Sequence, residues 1–206
     1  MIAKIAAAAG RDVSRETFEK IQAYVELLKA GAAEQNLIAP STLETIWERH
    51  ILDSAQLVHF EPFARASWVD VGSGAGLPGI VIALLVKGPI TLIEPRRLRA
   101  EFLVRAVERL DLSERIRVEC AKVERVEDHF DVITARAVAP LDQLLAITEH
   151  LSKSGTTWVL PKGRNAQSEL AQAQRNWHCD VRVEQSCTDP DSEILVLTRV
   201  GAKKKR

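Results

Sequence analysis

The stretch that decides the fold is Asp70-Val71-Gly72-Ser73-Gly74-Ala75-Gly76-Leu77-Pro78-Gly79. It follows a β-type run at residues 67–71 and precedes an apolar stretch, ending near residue 85, that we expect to be helical. Glycines here let the backbone take positive φ angles and approach a ligand closely, and the first N–H groups of the helix face that ligand. The sequence therefore predicts a strand–turn–helix unit that binds a small molecule.

After this loop, short β-type runs alternate with helical stretches. We expect parallel strands at residues 67–71, 90–93, 116–120, 131–134 and 156–160, with helices at about 79–85, 96–110, 140–151 and 165–177. This alternation predicts an α/β fold, in which helices cover both faces of a parallel sheet. The last two strands, at 181–185 and 194–200, have only a turn around Pro190 between them. They should therefore pair antiparallel.

Residues 1–65 have a helical pattern, and we predict an N-terminal helical extension that packs on the core. Ser14 is a candidate N-cap for a helix that ends at Gly31, and Ser41 with Glu44 makes a candidate capping box for a second helix. Arg49 and Asp53 lie four residues apart, a spacing that allows an ion pair within that helix. We predict that residues 66–200 form the sheet domain and residues 201–206 a basic tail.

The charge of the chain balances overall but not locally. The 206 residues include 28 basic and 28 acidic side chains, and 46% of the residues are apolar, which excludes strong disorder. A net charge of zero gives no direct argument for a nucleic-acid partner. However, five arginines lie within residues 96–109, and residues 199–206 hold five basic side chains and no acidic one. Such clusters could contact phosphates, because phosphate contacts depend on local charge.

The cysteines and the apolar runs exclude other classes of protein. Three widely spaced cysteines give no disulfide framework and no Cys-x-x-Cys zinc site. No apolar run reaches the roughly 18 residues of a membrane span, and the alanine run at residues 6–9 lacks the pattern of a signal peptide. We therefore expect a cytoplasmic monomer with no bound metal and no membrane partner.

Two cofactor patterns fit the glycine loop. Gly74-x-Gly76-x-x-Gly79 matches a dinucleotide fingerprint, but that fingerprint should begin at the end of the strand, at Gly72, and Leu77 would then replace its third glycine. Asp-x-Gly-x-Gly-x-Gly, beginning at Asp70, instead resembles the first motif of S-adenosylmethionine-dependent methyltransferases. In that motif the carboxylate helps to hold the amino-acid part of the cofactor. Glu94, at the end of the second strand, suits the ribose of either cofactor.

The resemblance extends to one family, the bacterial 16S ribosomal RNA (guanine-N7) methyltransferases, also called the glucose-inhibited division protein B family. The matching segments are Asn36-Leu37-Ile38, Arg49-His50-Ile51-Leu52-Asp53-Ser54, Phe130-Asp131-Val132-Ile133-Thr134-Ala135-Arg136-Ala137 and Leu160-Pro161-Lys162-Gly163. They occur in order over about residues 20–200. The resemblance implies a class I S-adenosylmethionine-dependent methyltransferase fold, with five parallel strands and a C-terminal antiparallel hairpin in a Rossmann-like sheet. It also implies S-adenosyl-L-methionine as the cofactor and small-subunit ribosomal RNA, or the 30S particle, as the partner.

The resemblance also implies which residues bind the cofactor. It places Gly72 and Leu77 at the cofactor, Val123 and Glu124 at its adenine end, and Arg136 where the family has a cofactor-contacting arginine. A guanidinium after the fourth strand suits a carboxylate. We add Gly74 and Glu94 from the loop pattern and from the end of the second strand.

Methylation of guanine N7 needs no general base, because N7 has a free lone pair. We therefore name no catalytic acid or base and expect positioning and electrostatics to carry the reaction. Lys162 and Arg164, after the fifth strand, are candidates for holding RNA phosphate or the O6/N7 edge of guanine. His50 could stack on a base. The alternatives are a small-molecule methyltransferase and a non-catalytic protein that binds the cofactor or RNA. An NAD-dependent oxidoreductase is disfavoured by the glycine register.

Overall fold

The computed structural model describes residues 1–35 and 37–203. A seven-stranded sheet in the order β3-β2-β1-β4-β5-β7-β6 forms its centre. The strands are β1 (Trp68–Val71), β2 (Ile90–Ile93), β3 (Ile116–Glu119), β4 (Phe130–Ala135), β5 (Ser152–Lys162), β6 (Trp177–Gln185) and β7 (Glu193–Ala202). The first five strands run parallel, and β7 pairs antiparallel with β5 and with β6. The predicted class I fold is therefore confirmed.

Helices cover both faces of the sheet, and the sheet separates two apolar cores. They are α4 (Gly79–Leu85), α5 (Arg97–Arg109), α6 (Leu141–Thr148) and α7 (Ala166–Asn176). Neighbouring residues of β1 belong to different cores: Trp68 packs in one and Val69 in the other. This follows from the alternation of side chains along a strand, and burial of both faces explains why the inner strands are continuously apolar.

The N-terminal region begins with α1 (Ile2–Ala9) and α2 (Arg15–Gln35). The prediction that α2 ends at Gly31 is wrong. A Cβ at that position would lie 3.0 Å from Cε2 of Phe102 on α5, so the glycine allows α2 to pack closely on α5 instead of ending the helix. Ile5, Ile21 and Leu28 lie in the same apolar core as residues of the sheet. The division of the chain at residue 65 stays a prediction.

The second helix predicted in this region is also wrong in detail. Its place is taken by a 3₁₀ turn (Pro40–Thr42), a π-helical segment (Trp47–Leu52), a short α3 (Asp53–Ala55) and a 3₁₀ turn (Gln56–Phe60). The predicted capping box does not form, because no side chain caps the first turn and the Thr42 hydroxyl donates to the Ala39 carbonyl. Asn36 of the family-like motif and residues 204–206 of the predicted basic tail lie outside the described residues.

None of the helices in the described part of the chain has both the length and the apolar character needed to cross a membrane.

Candidate cofactor and RNA site

The glycine loop makes a tight turn at the carboxyl end of β1. Gly72, Gly74 and Gly76 have φ angles of 68°, 57° and 91°, a region that residues with a side chain rarely adopt. A Cβ at Gly72 would also lie 2.7 Å from Cγ2 of Val138, which follows β4. At Gly74 the nearest atoms to a Cβ would be 3.8 Å away. The loop is therefore closely packed at Gly72, whereas Gly74 has ordinary van der Waals room around it.

Asp70 closes this loop from the inside. Its side chain has no exposed surface, and its Oδ2 accepts a hydrogen bond of 3.0 Å from the backbone N–H of Gly79, where α4 begins. Its Oδ1 is buried without a hydrogen-bond partner among the described residues. Burial raises the pKa of this carboxyl to about 7. The expectation that the Asp70 carboxylate holds a bound amino acid does not fit this geometry, because the side chain has no surface accessible to a ligand.

Glu94 connects the end of β2 to the loop. Its Oε2 accepts from the Gly74 backbone N–H at 2.9 Å, and its Oε1 accepts from the Arg96 backbone N–H at 2.8 Å. The residue is almost fully buried. Each carboxylate oxygen can accept a further hydrogen bond, so this fixed carboxylate remains able to accept from ribose hydroxyls.

The other predicted cofactor residues on this side differ in exposure. Leu77 is 5% exposed and packs in the apolar core, so only its backbone is available to a ligand. Val123 begins a 3₁₀ turn (Val123–Arg125) after β3, and its side chain is buried. Glu124 is exposed on the same turn. β3, β2 and β1 are adjacent parallel strands. Leu77, Val123 and Glu124 therefore lie along the same carboxyl edge of the sheet as the glycine loop.

Arg136 lies beside the glycine loop, because it follows β4 and Ala135 pairs in register with Val71. Its Nη1 contacts Asp53 Oδ2 at 3.3 Å and donates to the Arg49 carbonyl at 3.4 Å. Its Nη2 lies 3.4 Å from Nδ1 of His50. These distances are long for charge-assisted contacts, so the guanidinium retains the capacity to bind another carboxylate.

His50 is held between two neighbours. Its Nε2 lies 2.8 Å from the Thr42 hydroxyl, and its other ring nitrogen faces Arg136. Burial, followed by the charge of Arg136, lowers the pKa of His50 to about 4. The imidazole is therefore neutral at pH 7. Its proposed stacking on a base stays a prediction.

The comparisons with known proteins agree with this geometry. The family model of the rRNA small subunit methyltransferase G matches residues 17–194. The chain belongs to the rRNA small subunit methyltransferase G family. A relative named ribosomal RNA small subunit methyltransferase G from Zymomonas mobilis is 46% identical over 206 residues, which covers 94% of this chain and 91% of that protein. One from Paracoccus denitrificans is 45% identical, covering 90% and 96% respectively.

Solved structures agree on the fold of this methyltransferase G family member. An S-adenosylmethionine-dependent methyltransferase from Aquifex aeolicus matches with a TM-score of 0.60 at 14% identity, covering 78% of this chain and 98% of that one. Geranyl diphosphate methyltransferase, solved with its substrate and sinefungin, matches with a TM-score of 0.58 at 15% identity, covering 82% and 85%. At these identities the likeness supports the fold alone.

The two predicted RNA-binding residues of this methyltransferase G family member lie in different surroundings. Lys162 ends β5, and its ammonium pairs with Glu169 at 2.9 Å and donates to the Ala139 carbonyl at 3.2 Å. Arg164 is exposed over 81% of its side chain and lies 4.0 Å from Asp191. Lys162 is thus occupied within the protein, whereas Arg164 faces solvent. Both RNA contacts stay predictions.

Sequence reasoning missed the partner of Asp53. The spacing allowed a pair with Arg49, but Asp53 instead pairs with Arg136, and Arg49 lies 3.9 Å from Asp189 in the loop before β7. Gln56 was missed too: it is buried and bonds to Asp53, to Ser186 and to the Cys187 backbone. The sequence motif contained Asp53, but apart from Gln56 its partners lie about 80 to 135 residues away and leave no local signal.

Proposed function

We propose that this chain transfers a methyl group from S-adenosyl-L-methionine to N7 of a guanine in 16S ribosomal RNA. The observation that carries the proposal is the family match over residues 17–194, which includes both the glycine loop and the segment around Asp53. The protein acts in the cytoplasm, as a monomer, on the 30S particle or its RNA.

The residues at the carboxyl edge fit the cofactor. Gly72 and Gly74 are partly exposed on the turn, and the Glu94 carboxylate is fixed beside them, 2.9 Å from the Gly74 nitrogen. Glu94 holds the ribose, and the backbone at Gly72, Gly74 and Leu77 lines the cofactor. Val123 and Glu124 lie at the adenine, and Arg136 pairs with the carboxylate of the methionine part.

The reaction requires the protein to position the base and the methyl donor more than to transfer protons. S-adenosylmethionine supplies a methyl group on a positively charged sulfur. Guanine N7 offers a lone pair and has no proton to lose, so no general base is required. The residues around Arg136 have to hold the base in line with the methyl group and exclude water. The neutral state of His50 suits this task, because it adds no charge that would repel a base becoming cationic.

The RNA footprint is local. Arg164 beyond β5 and the arginines of α5 hold phosphates, with Lys162 bordering the base. Because this footprint is confined to these clusters, affinity for naked RNA is modest and sensitive to salt.

Labelled methyl transfer tests the proposal. The protein is incubated with labelled S-adenosylmethionine and either 30S particles or naked 16S ribosomal RNA, and the modified base is mapped. We expect label at N7 of one guanine. Transfer to small molecules only, or binding of the cofactor without transfer, would support one of the two alternatives. Calorimetry that finds NAD bound tightly and S-adenosylmethionine not bound would overturn the proposal.

A further inference from the structure

A cleft of about 140 Å³ opens at the carboxyl ends of β4 and β5, beside Arg136. Asp53, Gln56, Arg136, Lys162 and Ser186 are among its lining residues. Ligands of open parallel sheets bind at this edge of the sheet, and the polar side chains that line this cleft can form hydrogen bonds with a base. The cleft adjoins the glycine loop through Arg136, so a base in it lies next to the methyl donor. The proposed function gives Asp53, at the wall of this cleft, no task.

Asp53 is held from several directions. Its Oδ1 accepts from Gln56 Nε2 at 3.0 Å and from the Thr188 hydroxyl at 3.1 Å, and its Oδ2 lies 3.3 Å from Arg136 Nη1. Gln56 is itself fixed by Ser186 and by the backbone of Cys187. The Asp53 side chain is nevertheless 19% exposed. These contacts leave acceptor capacity on Oδ2, in an orientation that needs no rearrangement when a ligand arrives.

We propose that Asp53 determines specificity for guanine by accepting hydrogen bonds from the N1–H and the 2-amino group of the target base. This inference rests on the proposed function. Guanine is the one RNA base with two adjacent donors on its Watson–Crick edge, and Oδ2, the oxygen with acceptor capacity left, can accept both from one position in front of that edge. Adenine and cytosine have acceptors at the corresponding ring nitrogens, and uracil has carbonyls on both sides of its N–H.

The same contact assists the reaction. Transfer of the methyl group to N7 makes the purine cationic and its N1–H more acidic. A hydrogen bond from N1–H to a carboxylate therefore strengthens as the methyl group is transferred. Such an interaction favours the transition state over the ground state, so its loss should lower kcat and not only raise KM.

The experiment is a double-mutant cycle between the protein and the base. Small subunits are reconstituted with RNA that carries guanosine or inosine, which lacks the 2-amino group, at the mapped position. Asp53→Asn should lower kcat/KM on guanosine RNA about 10- to 100-fold, because a hydrogen bond to a charged group is lost. Inosine should lower the rate of the unmodified protein about tenfold and that of Asp53→Asn less than twofold. Affinity for S-adenosylmethionine should change less than threefold.

Glu61→Gln is the matched control. Glu61 pairs with Arg11 at 3.0 Å and is partly buried, like the Asp53–Arg136 pair, but it does not line the cleft. This variant should keep kcat/KM within twofold. Should Asp53→Asn fold poorly, Asp53→Glu serves in the same cycle, because it keeps the charge and moves the oxygens by one methylene. A smaller inosine effect than in the unmodified protein supports the inference, and an unchanged effect contradicts it.

Other results separate the two proposals. Equal inosine effects in the unmodified protein and in Asp53→Asn would overturn the role of Asp53 while leaving the methyltransferase activity intact. Loss of cofactor affinity in proportion to the loss of rate would also overturn it, because Asp53 would then act through Arg136. Absence of any transfer to small-subunit RNA by the unmodified protein would overturn the proposed function, and the inference with it.

Discussion

The carboxyl edge of the sheet has two halves that are built in different ways. At β1 and β2 the site consists of backbone, and its fixing contacts are local: Gly79 N–H to Asp70 and Gly74 N–H to Glu94 join residues 9 and 20 positions apart. At β4 and β5 the site consists of side chains, and the contacts that fix them span 83 residues for Arg136–Asp53 and 135 for Thr188–Asp53. The cofactor half is therefore a local motif, whereas the substrate half exists only in the folded chain.

The largest expected effect is in the backbone-built half. Gly72→Ala adds a Cβ at a φ of 68° and within 2.7 Å of Val138, so the turn must move. Strain of about 1–3 kcal/mol corresponds to S-adenosylmethionine affinity about 5- to 150-fold weaker, measured by calorimetry. Gly201→Ala is the control, because its Cβ meets open space. Equal affinities for the two variants would show that the turn tolerates a side chain.

In the side-chain-built half, a substitution at Arg136 should weaken the affinity for S-adenosylmethionine about tenfold. Arg136→Ala removes the guanidinium proposed to pair with the methionine carboxylate, and a charged hydrogen-bond partner is worth about that much. Calorimetry with the cofactor measures the loss, and Arg199→Ala on β7, exposed over 79% of its side chain, is the control. Unchanged cofactor affinity with weaker RNA binding would assign Arg136 to the RNA instead.

Asp70 tests whether the loop carboxylate is structural. Its pKa, about 7 in the folded protein, exceeds the value near 4 expected in the unfolded chain, so folding binds a proton between these values. The free energy of unfolding therefore falls as pH rises from 4 to 7 and stays lowered above pH 7. Asp70→Asn removes this dependence, and we expect a thermal midpoint about 5 °C above that of the unmodified protein at pH 8, with a smaller difference at pH 5.

Cofactor affinity sharpens that test. Because Asp70 has no exposed surface, Asp70→Asn should change the affinity for S-adenosylmethionine at pH 8 less than threefold. A large loss of affinity would contradict this structural role and assign Asp70 to ligand binding. Thermal midpoints of the two proteins that differ by the same amount at every pH from 5 to 8 would do the same.

The smallest expected effect is at the solvent-facing edge of the substrate half. Arg164→Ala removes one exposed cation, whose neighbour Asp191 is 4.0 Å away. Affinity for 16S ribosomal RNA should fall about threefold, and the slope of log affinity against log salt should decrease by about one. Arg15→Ala, at an 89% exposed side chain on α2, should leave the slope unchanged. Identical slopes for the two variants would remove Arg164 from the footprint.

The accuracy with which the sequence predicts the structure differs between the same two halves of the site. The strand expected at residues 90–93 coincides with β2 (Ile90–Ile93), and the turn after β1 has the positive φ angles that its glycines predict. Apolar runs and glycine spacing record such local structure. The helix end predicted at Gly31 was wrong because the glycine serves a close approach to Phe102, which lies on another helix. The pair predicted for Asp53 was wrong because Arg49 lies at a suitable spacing, while the actual partner, Arg136, follows β4.

The sequence likewise did not indicate that the Asp70 side chain points into the loop. The motif specifies a carboxylate before the turn, but only the folded loop shows that Oδ2 accepts from the Gly79 N–H. The role of a motif residue thus depended on which side of a turn it occupied, and residue types alone do not encode that.

The core that contains Ile5 of α1 also contains Ile194 of β7. Tyr24 of α2, in the same core, donates a buried hydrogen bond of 2.8 Å to the Ala75 carbonyl in the glycine loop. Because α1 and α2 precede β7 in the chain, their shared core is completed only after β7 has been made. While the nascent chain emerges, α1 and α2 present uncovered apolar surface, of the kind that chaperones bind. An enzyme that modifies ribosomal RNA thus completes the core behind its glycine loop only once β7 has been synthesised.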